Sequence, residues 1–385
     1  MGALSQKKGT SSKWTTRNEL RWTCARRSPE KLRFAIAGAG AIGSLFGARL
    51  TLAGHDVILT HRNRSIVRAI QKNGVSLREL DGTVSRVRVP VRKGPTELSG
   101  IEVLIVAVKT YDTREVAESY RRLVPLETTI LSLQNGLGNV ETLRSRFRND
   151  ILAGSTTEGA LLLGPGSVTH TGTGSTIIGA LQPRNSGKAS RINIAFNAAG
   201  FPTKTSSNIL GVLWAKAIVN AAINPLSALT RLPNGVLGKN EAIQEIALGV
   251  IDEGILVSRA ARIRLVGNPR KLWRRILLST KTNKSSMLQD IERGKMTEIR
   301  QLNGAILSYG KKTCIKTPVN GILTKLVLAL EESLRMTTPR AKACRKDKAF
   351  SFYRQFSSYP ILRQYHTPEL PPSRPSQTGQ GPSRH

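Results

Sequence analysis

Lys216, Asn220 and Asn224 recur at four-residue intervals in the apolar stretch WAKAIVNAAINPL, which runs from Trp214 to Leu226. Residues four apart lie one above another on a helix. The stretch therefore reads as a buried helix carrying one narrow row of an ammonium and two amides. A Lys on such a face usually snorkels to water; held in a cleft, burial lowers its pKa and makes it a usable proton donor. Pro225 pushes the residue before it out of helical conformation, which places Asn224 at the helix end. Asn135 in LQNGLGN, Asn234 in LPNG, and Ser286 and Glu298 in SSMLQDIERGKMTEIRQLNG are further polar groups at element ends. Each has a bland alternative: Asn-Gly favours turns, Ser286 reads as a loop residue, and Glu298 behind a Thr297 N-cap suits the first turn of a helix. Continued as a helix, that segment puts Glu298, Leu302, Ala305 and Tyr309 in one row, with the carboxylate at the edge of a buried face. A Lys, a Glu and several amides suit hydride transfer to a ketone beside a carboxylate. A positioned acid protonates the alkoxide, and amides and hydroxyls grip the carboxylate and hydroxyl of the substrate.

The hydride source is written at the other end of the chain. Gly38-Ala39-Gly40-Ala41-Ile42-Gly43 follows the apolar strand RFAIA and opens a helix. In a G-x-G-x-x-G turn the first glycine makes the bend, the second lets a pyrophosphate approach, and the third lets helix and strand pack closely. The phosphates then meet free N–H groups at a helix N-terminus. The second strand ends in Thr60-His61-Arg62-Asn63-Arg64, without the acid that holds the ribose hydroxyls of NAD. A guanidinium grips a 2′-phosphate through two N–H groups, so NADP is the expected cofactor, with Arg62 as first contact and His61 or Arg64 beside it. A solvated basic loop is the alternative. Lys109 follows the strand VLIVAV, at the carboxyl edge where open α/β sheets bind ligands.

Strand–helix alternation through RFAIA, DVILT, EVLIVAV and TTILSLQ indicates a parallel, doubly wound sheet. Asp81-Gly82 marks a hairpin, residues 151–180 read as strands, and the chain from about 206 to 337 reads as helices. Residues 1–30 and 338–385 read as a basic extension and a basic Pro/Ser-rich tail. No internal repeat is visible. The chain has 385 residues and a net charge of +34, of which 31–339 keeps +22 from 43 basic and 21 acidic residues. Such an excess favours polyanions in general, but no Cys/His finger, RNP-like strand or heptad accompanies it, so nucleic acid is not the expected partner. Cys24, Cys314 and Cys344 are too few and too scattered for a disulfide framework or a zinc site; no metal is expected. The start lacks an apolar signal core and matches a transit peptide only weakly. No transmembrane helix is expected, because no long apolar run lacks a charge or an amide.

The motifs GAGAIGSLFGARL, VAVKTYDT, LSLQNGLGN, TTEGA, WAKAIVNAAINPLSALT with LPNG, and SSMLQDIERGKMTEIRQLNG resemble those of the 2-dehydropantoate 2-reductase (ketopantoate reductase) family over roughly residues 33 to 336. The resemblance implies an α/β Rossmann-type N-terminal domain (31–205) followed by an all-helical C-terminal domain (206–337), an arrangement like that of 6-phosphogluconate dehydrogenase. It implies NADPH-dependent reduction of ketopantoate in pantothenate and coenzyme A biosynthesis, in the cytoplasm. Lys216 matches the family's general acid and Glu298 its substrate-orienting carboxylate. Asn220, Asn224, Asn234 and Ser286 match substrate-binding positions, and Asn135 matches an amide touching cofactor and substrate. Arg62 and Lys109 match cationic contacts to the 2′-phosphate. Two alternatives stay open: a reductase of another 2-keto or 3-hydroxy acid, and a non-catalytic NADP-sensing or nucleic-acid-binding protein. Oligomeric state is open too, a homodimer included.

Overall fold

A computed structural model describes residues 30–337. The extension apart from Glu30, and the tail, with Cys24 and Cys344, lie outside the described residues. Strand β1 (Arg33–Ala37) alternates between two cores: Phe34 and Ile36 join one cluster, Ala35 and Ala37 the other. This period of two on a strand buried on both faces is what a covered parallel sheet requires. The glycine turn leads into α1 (Ala41–Leu52), then β2 (Asp56–His61) and α2 (Arg64–Asn73), capped by the Asn63 side chain. The expected hairpin forms as β3 (Val75–Arg78) and β4 (Val84–Val87), followed by β5 (Val91–Lys93). Strand β6 (Val103–Val106), α3 (Thr113–Tyr120), β7 (Thr129–Ser132), α4 (Asn139–Arg144) and β8 (Ile151–Thr156) complete the parallel part. Strands β9 (Gly159–Gly164), β10 (Ser167–Gly172) and β11 (Thr176–Ala180), then α5 (Ser186–Ala198) and β12 (Thr203–Thr205), close the first half.

The main sheet has eight strands in the order β12-β11-β8-β7-β6-β1-β2-β5. Six of them, β5 to β8 in that spatial order, are parallel, and β11 joins β8 antiparallel. This is the doubly wound arrangement expected from the strand–helix alternation. A second sheet, β4-β3-β10-β9, lies over α1. Phe34, Phe46, Phe196 and Phe201 form an aromatic cluster between β1, α1 and the end of α5, with Phe46 and Phe201 stacked at 3.9 Å. That apolar contact fixes α1, and with it the glycine turn, against the sheet.

Beyond residue 206 the chain is helical: α6 (Ile209–Thr230), α7 (Asn234–Leu237), α8 (Glu241–Ala260), α9 (Pro269–Ser279), α10 (Ser286–Glu292), α11 (Asn303–Lys312) and α12 (Pro318–Thr337). The described residues up to Glu331 form one compact unit. Helix α6 is its axis, packed on β8, α8, α9 and α10. By length and composition α6 could cross a membrane, yet 78% of its most apolar stretch is buried inside the protein. It reads as a core helix.

Three local expectations are corrected. Asn224 does not end its helix, since α6 continues through Pro225 to Thr230. Proline removes the N–H that the carbonyl of Ala221, four residues back, would accept. The Asn303 side-chain amide supplies that donor at 3.0 Å, and its second N–H reaches Asn320 Oδ1 at 3.1 Å. Asn320 donates in turn to Glu253, which also accepts the Val319 and Asn320 N–H groups at the start of α12. Glu298 does not open a continuous helix either. A 3₁₀ turn at Ile299–Gln301 follows it, and Leu302 (φ −105°, ψ −97°) breaks the path before α11 begins. The Glu298–Tyr309 row is therefore not one helical stripe. Ser286 is the first residue of α10, behind the Ser285 N-cap.

Replacing Asn303 with Ala strands the buried Ala221 carbonyl and should cost roughly 1–3 kcal/mol. Urea unfolding measures this; an unchanged midpoint would show that the proline gap is satisfied another way.

Candidate functional site

Lys216 projects from the middle of α6 towards the carboxyl edge of the sheet. Its Nζ donates to Asn135 Oδ1 at 3.0 Å and to the Thr156 carbonyl, at the end of β8, at 2.5 Å. An ammonium has three protons, so one is left for a further acceptor. Burial brings the Lys216 ammonium down to a pKa of about 8, against an opposing pull from the Glu298 charge.

Asn135 is presented by the loop after β7. Gly136 adopts φ +78°, and a Cβ there would meet the Gln301 carbonyl at 2.8 Å. That carbonyl accepts the Leu137 N–H at 2.8 Å, so the loop docks directly on the 3₁₀ turn behind Glu298. The buried Glu298 carboxylate accepts the Thr110 N–H at 3.2 Å and lies 2.8 Å from the Thr110 hydroxyl. Lys109 donates to Asp290 at 2.6 Å and stands 4.0 Å from the other Glu298 oxygen. Burial depresses the Lys109 ammonium, but the Glu298 and Asp290 carboxylates outweigh it and hold its pKa above the ordinary lysine value. Burial also raises the Asp290 carboxyl, with Lys109 opposing.

On α6, the Asn220 side chain makes no hydrogen bond to the described residues, and Asn224 approaches the Ser286 hydroxyl at 3.5 Å. Lys216, Asn135, Glu298 and Lys109 thus converge, with the Asn224–Ser286 pair further along the same helix. Asn234 sits at the start of α7. It donates to Thr280 at 2.9 Å, and its Oδ1 is buried without a partner. No hydrogen bond among the described residues ties it to Lys216, Asn135 or Glu298. Thr110, Asp290 and the Thr156 carbonyl were not singled out from sequence. Asp290 was findable, since it lies four residues after Ser286 on one helix face.

The glycine turn fits a dinucleotide. Gly38 has φ +108°, and a Cβ on Gly43 would fall 1.9 Å from the Gly38 carbonyl, whereas one on Gly40 would meet nothing within 4 Å. Gly40 opens outward at the N-terminus of α1, which carries no acid in its first turn. Ala39 is buried beneath, and Ala41 and Ile42 are partly exposed above. At the end of β2, Arg62 is exposed and bonded to Asp112 through both Nη atoms, at 2.8 and 3.0 Å, and to Glu115 at 3.3 Å. Burial lowers the pKa of the neighbouring His61. Lys109 is held at the Glu298 end of the edge; its present partners are carboxylates of the helical half.

A doubly wound sheet with a dinucleotide turn, joined to a helical half that sends a Lys onto the sheet's carboxyl edge, defines a Rossmann-type oxidoreductase with a second, all-helical half. The ketopantoate reductase PanE/ApbA family model matches residues 34–183, and its C-terminal model matches 208–331. The chain belongs to the ketopantoate reductase PanE/ApbA family. A 2-dehydropantoate 2-reductase of Pyrococcus abyssi is 38% identical over 305 residues, covering 78% of this chain and 98% of the relative. Among solved structures, a PanE/ApbA family ketopantoate reductase from Ralstonia eutropha is 34% identical with a TM-score of 0.74, covering 79% of this chain and 100% of that one. A D-mandelate dehydrogenase bound to NADH and anilino(oxo)acetate is 27% identical with a TM-score of 0.75, covering 79% and 99%.

The Glu298 charge supports the Lys216 ammonium, so Glu298→Gln should move the Lys216 titration below pH 8. Side-chain-labelled lysine NMR measures it. A titration that stays in place or rises would show that the two groups do not interact.

Proposed function

We propose that this chain reduces 2-dehydropantoate to pantoate with NADPH, Lys216 acting as general acid. One observation carries the reading: the Lys216 ammonium has two protons engaged by Asn135 and Thr156, one uncommitted, and a pKa brought to about 8. With its pyrophosphate held at the glycine turn, a reduced nicotinamide dinucleotide would supply the hydride. Lys216 gives its free proton to the oxygen of the ketone as negative charge develops there. The Thr156 carbonyl and Asn135 Oδ1 keep the ammonium aimed and favour its charged form. Glu298, fixed by Thr110, orients the substrate from the opposite side. Asn220, Asn224 and Ser286 hold its polar ends through neutral hydrogen bonds, while Asn234, whose Oδ1 is buried, lies apart from them. Arg62 grips the 2′-phosphate. A role in pantothenate and coenzyme A biosynthesis, in the cytoplasm, is part of the proposal and rests on the family resemblance of the motifs; the relatives' names carry only the 2-dehydropantoate 2-reductase activity.

A second reading has one observation in its favour. The D-mandelate dehydrogenase neighbour holds NADH and a 2-oxo acid bearing an aromatic amide, so an aryl 2-oxo acid is the competing substrate class.

Steady-state oxidation of NADPH and NADH with ketopantoate and an aryl 2-oxo acid separates the two. The proposal expects turnover of ketopantoate, faster with NADPH. Lys216→Ala should lower kcat about 10²- to 10⁴-fold while leaving nucleotide binding intact. Absence of ketopantoate turnover would sink the assignment, and faster turnover with NADH would contradict the role given to Arg62.

A further inference from the structure

The acids around Arg62 have no part in the chemistry described above, yet they are the guanidinium's closest partners. Asp112 takes one proton from each Nη nitrogen, and Glu115 lies 3.3 Å from Nη1. Of the five N–H donors of a guanidinium, this leaves the edge formed by Nε and the second proton of Nη2. That edge is still a two-pronged fork. It offers a bidentate grip to whatever substituent the adenosine ribose carries at its 2′ position. The geometry is fixed from the far side: Asp112 stands in the turn after Lys109 with its side chain 19% exposed, whereas Arg62 is 61% exposed. The better-anchored acid therefore positions the freer cation.

The charge balance is the reverse of what a 2′-phosphate prefers. A phosphate brings close to two negative charges, and on arriving at Arg62 it meets a cation already shared by two carboxylates. A ribose hydroxyl carries no charge and loses nothing to them. We propose that Asp112 and Glu115 are specificity-determining residues that weaken this chain's preference for 2′-phosphorylated over 2′-hydroxyl dinucleotides while holding Arg62 in place to bind either. This rests on the dinucleotide reading of the glycine turn. It explains how the second strand can end without the acid of an NAD site while acids reach the same cation from the next crossover.

The test needs no turnover. Calorimetric titration with adenosine 2′,5′-bisphosphate and with 5′-AMP compares two ligands that differ by the one phosphate, on wild type, Asp112→Asn, Asp112→Asn/Glu115→Gln and Arg62→Ala. Exposed ion pairs are worth up to about 1 kcal/mol, so Asp112→Asn should tighten the bisphosphate about three- to fivefold and the double variant on the order of tenfold. 5′-AMP should be unaffected, and added salt should shrink the gain. Arg62→Ala should weaken both ligands, the bisphosphate more than 5′-AMP. A merely structural role for Asp112 would shift both ligands together. A bisphosphate-to-AMP ratio unchanged in the acid variants, or lowered by them, overturns the assignment while the dinucleotide reading stands. A chain that binds neither ligand overturns that reading and this assignment with it.

Discussion

The Lys216 ammonium bonds at once to a loop side chain after β7 and to the last carbonyl of β8, and most of the site's architecture follows from that contact. A cation drawn out of water is tolerated only where its charge is matched by acceptors. Here those acceptors belong to the sheet, while the lysine belongs to the helical half. The same contact that satisfies the charge therefore places an ammonium at the carboxyl edge where a dinucleotide lies in this fold. Glu298 meets the edge from the other direction. Its carboxylate is held by Thr110, and the 3₁₀ turn behind it is locked to the Asn135 loop through Gln301.

Keeping α6 intact through the site has its own requirement. Pro225 gives up a backbone donor one residue after Asn224, and the missing bond is restored by Asn303 from α11. The relay from Asn303 through Asn320 to Glu253 ties α6 to α8, α11 and α12 in a buried network that is satisfied at most of its atoms. Buried polar groups of this kind specify one arrangement because each alternative leaves a group unpaired.

Much of this was legible in the sequence. The glycine turn, the alternation of strands and helices, and the row at 216, 220 and 224 each follow from a fixed periodicity, so the fold and the lysine's helix could be read directly. Where the reading failed, a tertiary partner replaced a local rule. Proline at 225 signals a helix end unless a side chain distant in sequence, here Asn303, supplies the donor. Thr297 and Glu298 look like a cap and a first turn; Thr297 Oγ1 does accept the Ile299 N–H while donating to Glu331, but the turn it caps is 3₁₀ and Leu302 turns the chain away. Lys109, expected beside Arg62, is claimed by carboxylates of the helical half, and the acids that pair with Arg62 come from a different crossover. Charge partners distant in sequence leave no periodic trace.

The central claim is that Lys216 is the proton donor and is already near the threshold of losing its proton. Its folded-state pKa of about 8 lies below the ordinary lysine value of 10.5, so the charged form is progressively lost as pH rises through 8. The direct measurement is the pH dependence of kcat/KM for ketopantoate reduction by the wild-type enzyme from pH 6 to 10. The account predicts a plateau at low pH and a tenfold fall per pH unit above about 8. A rate that stays level through pH 10 would contradict it.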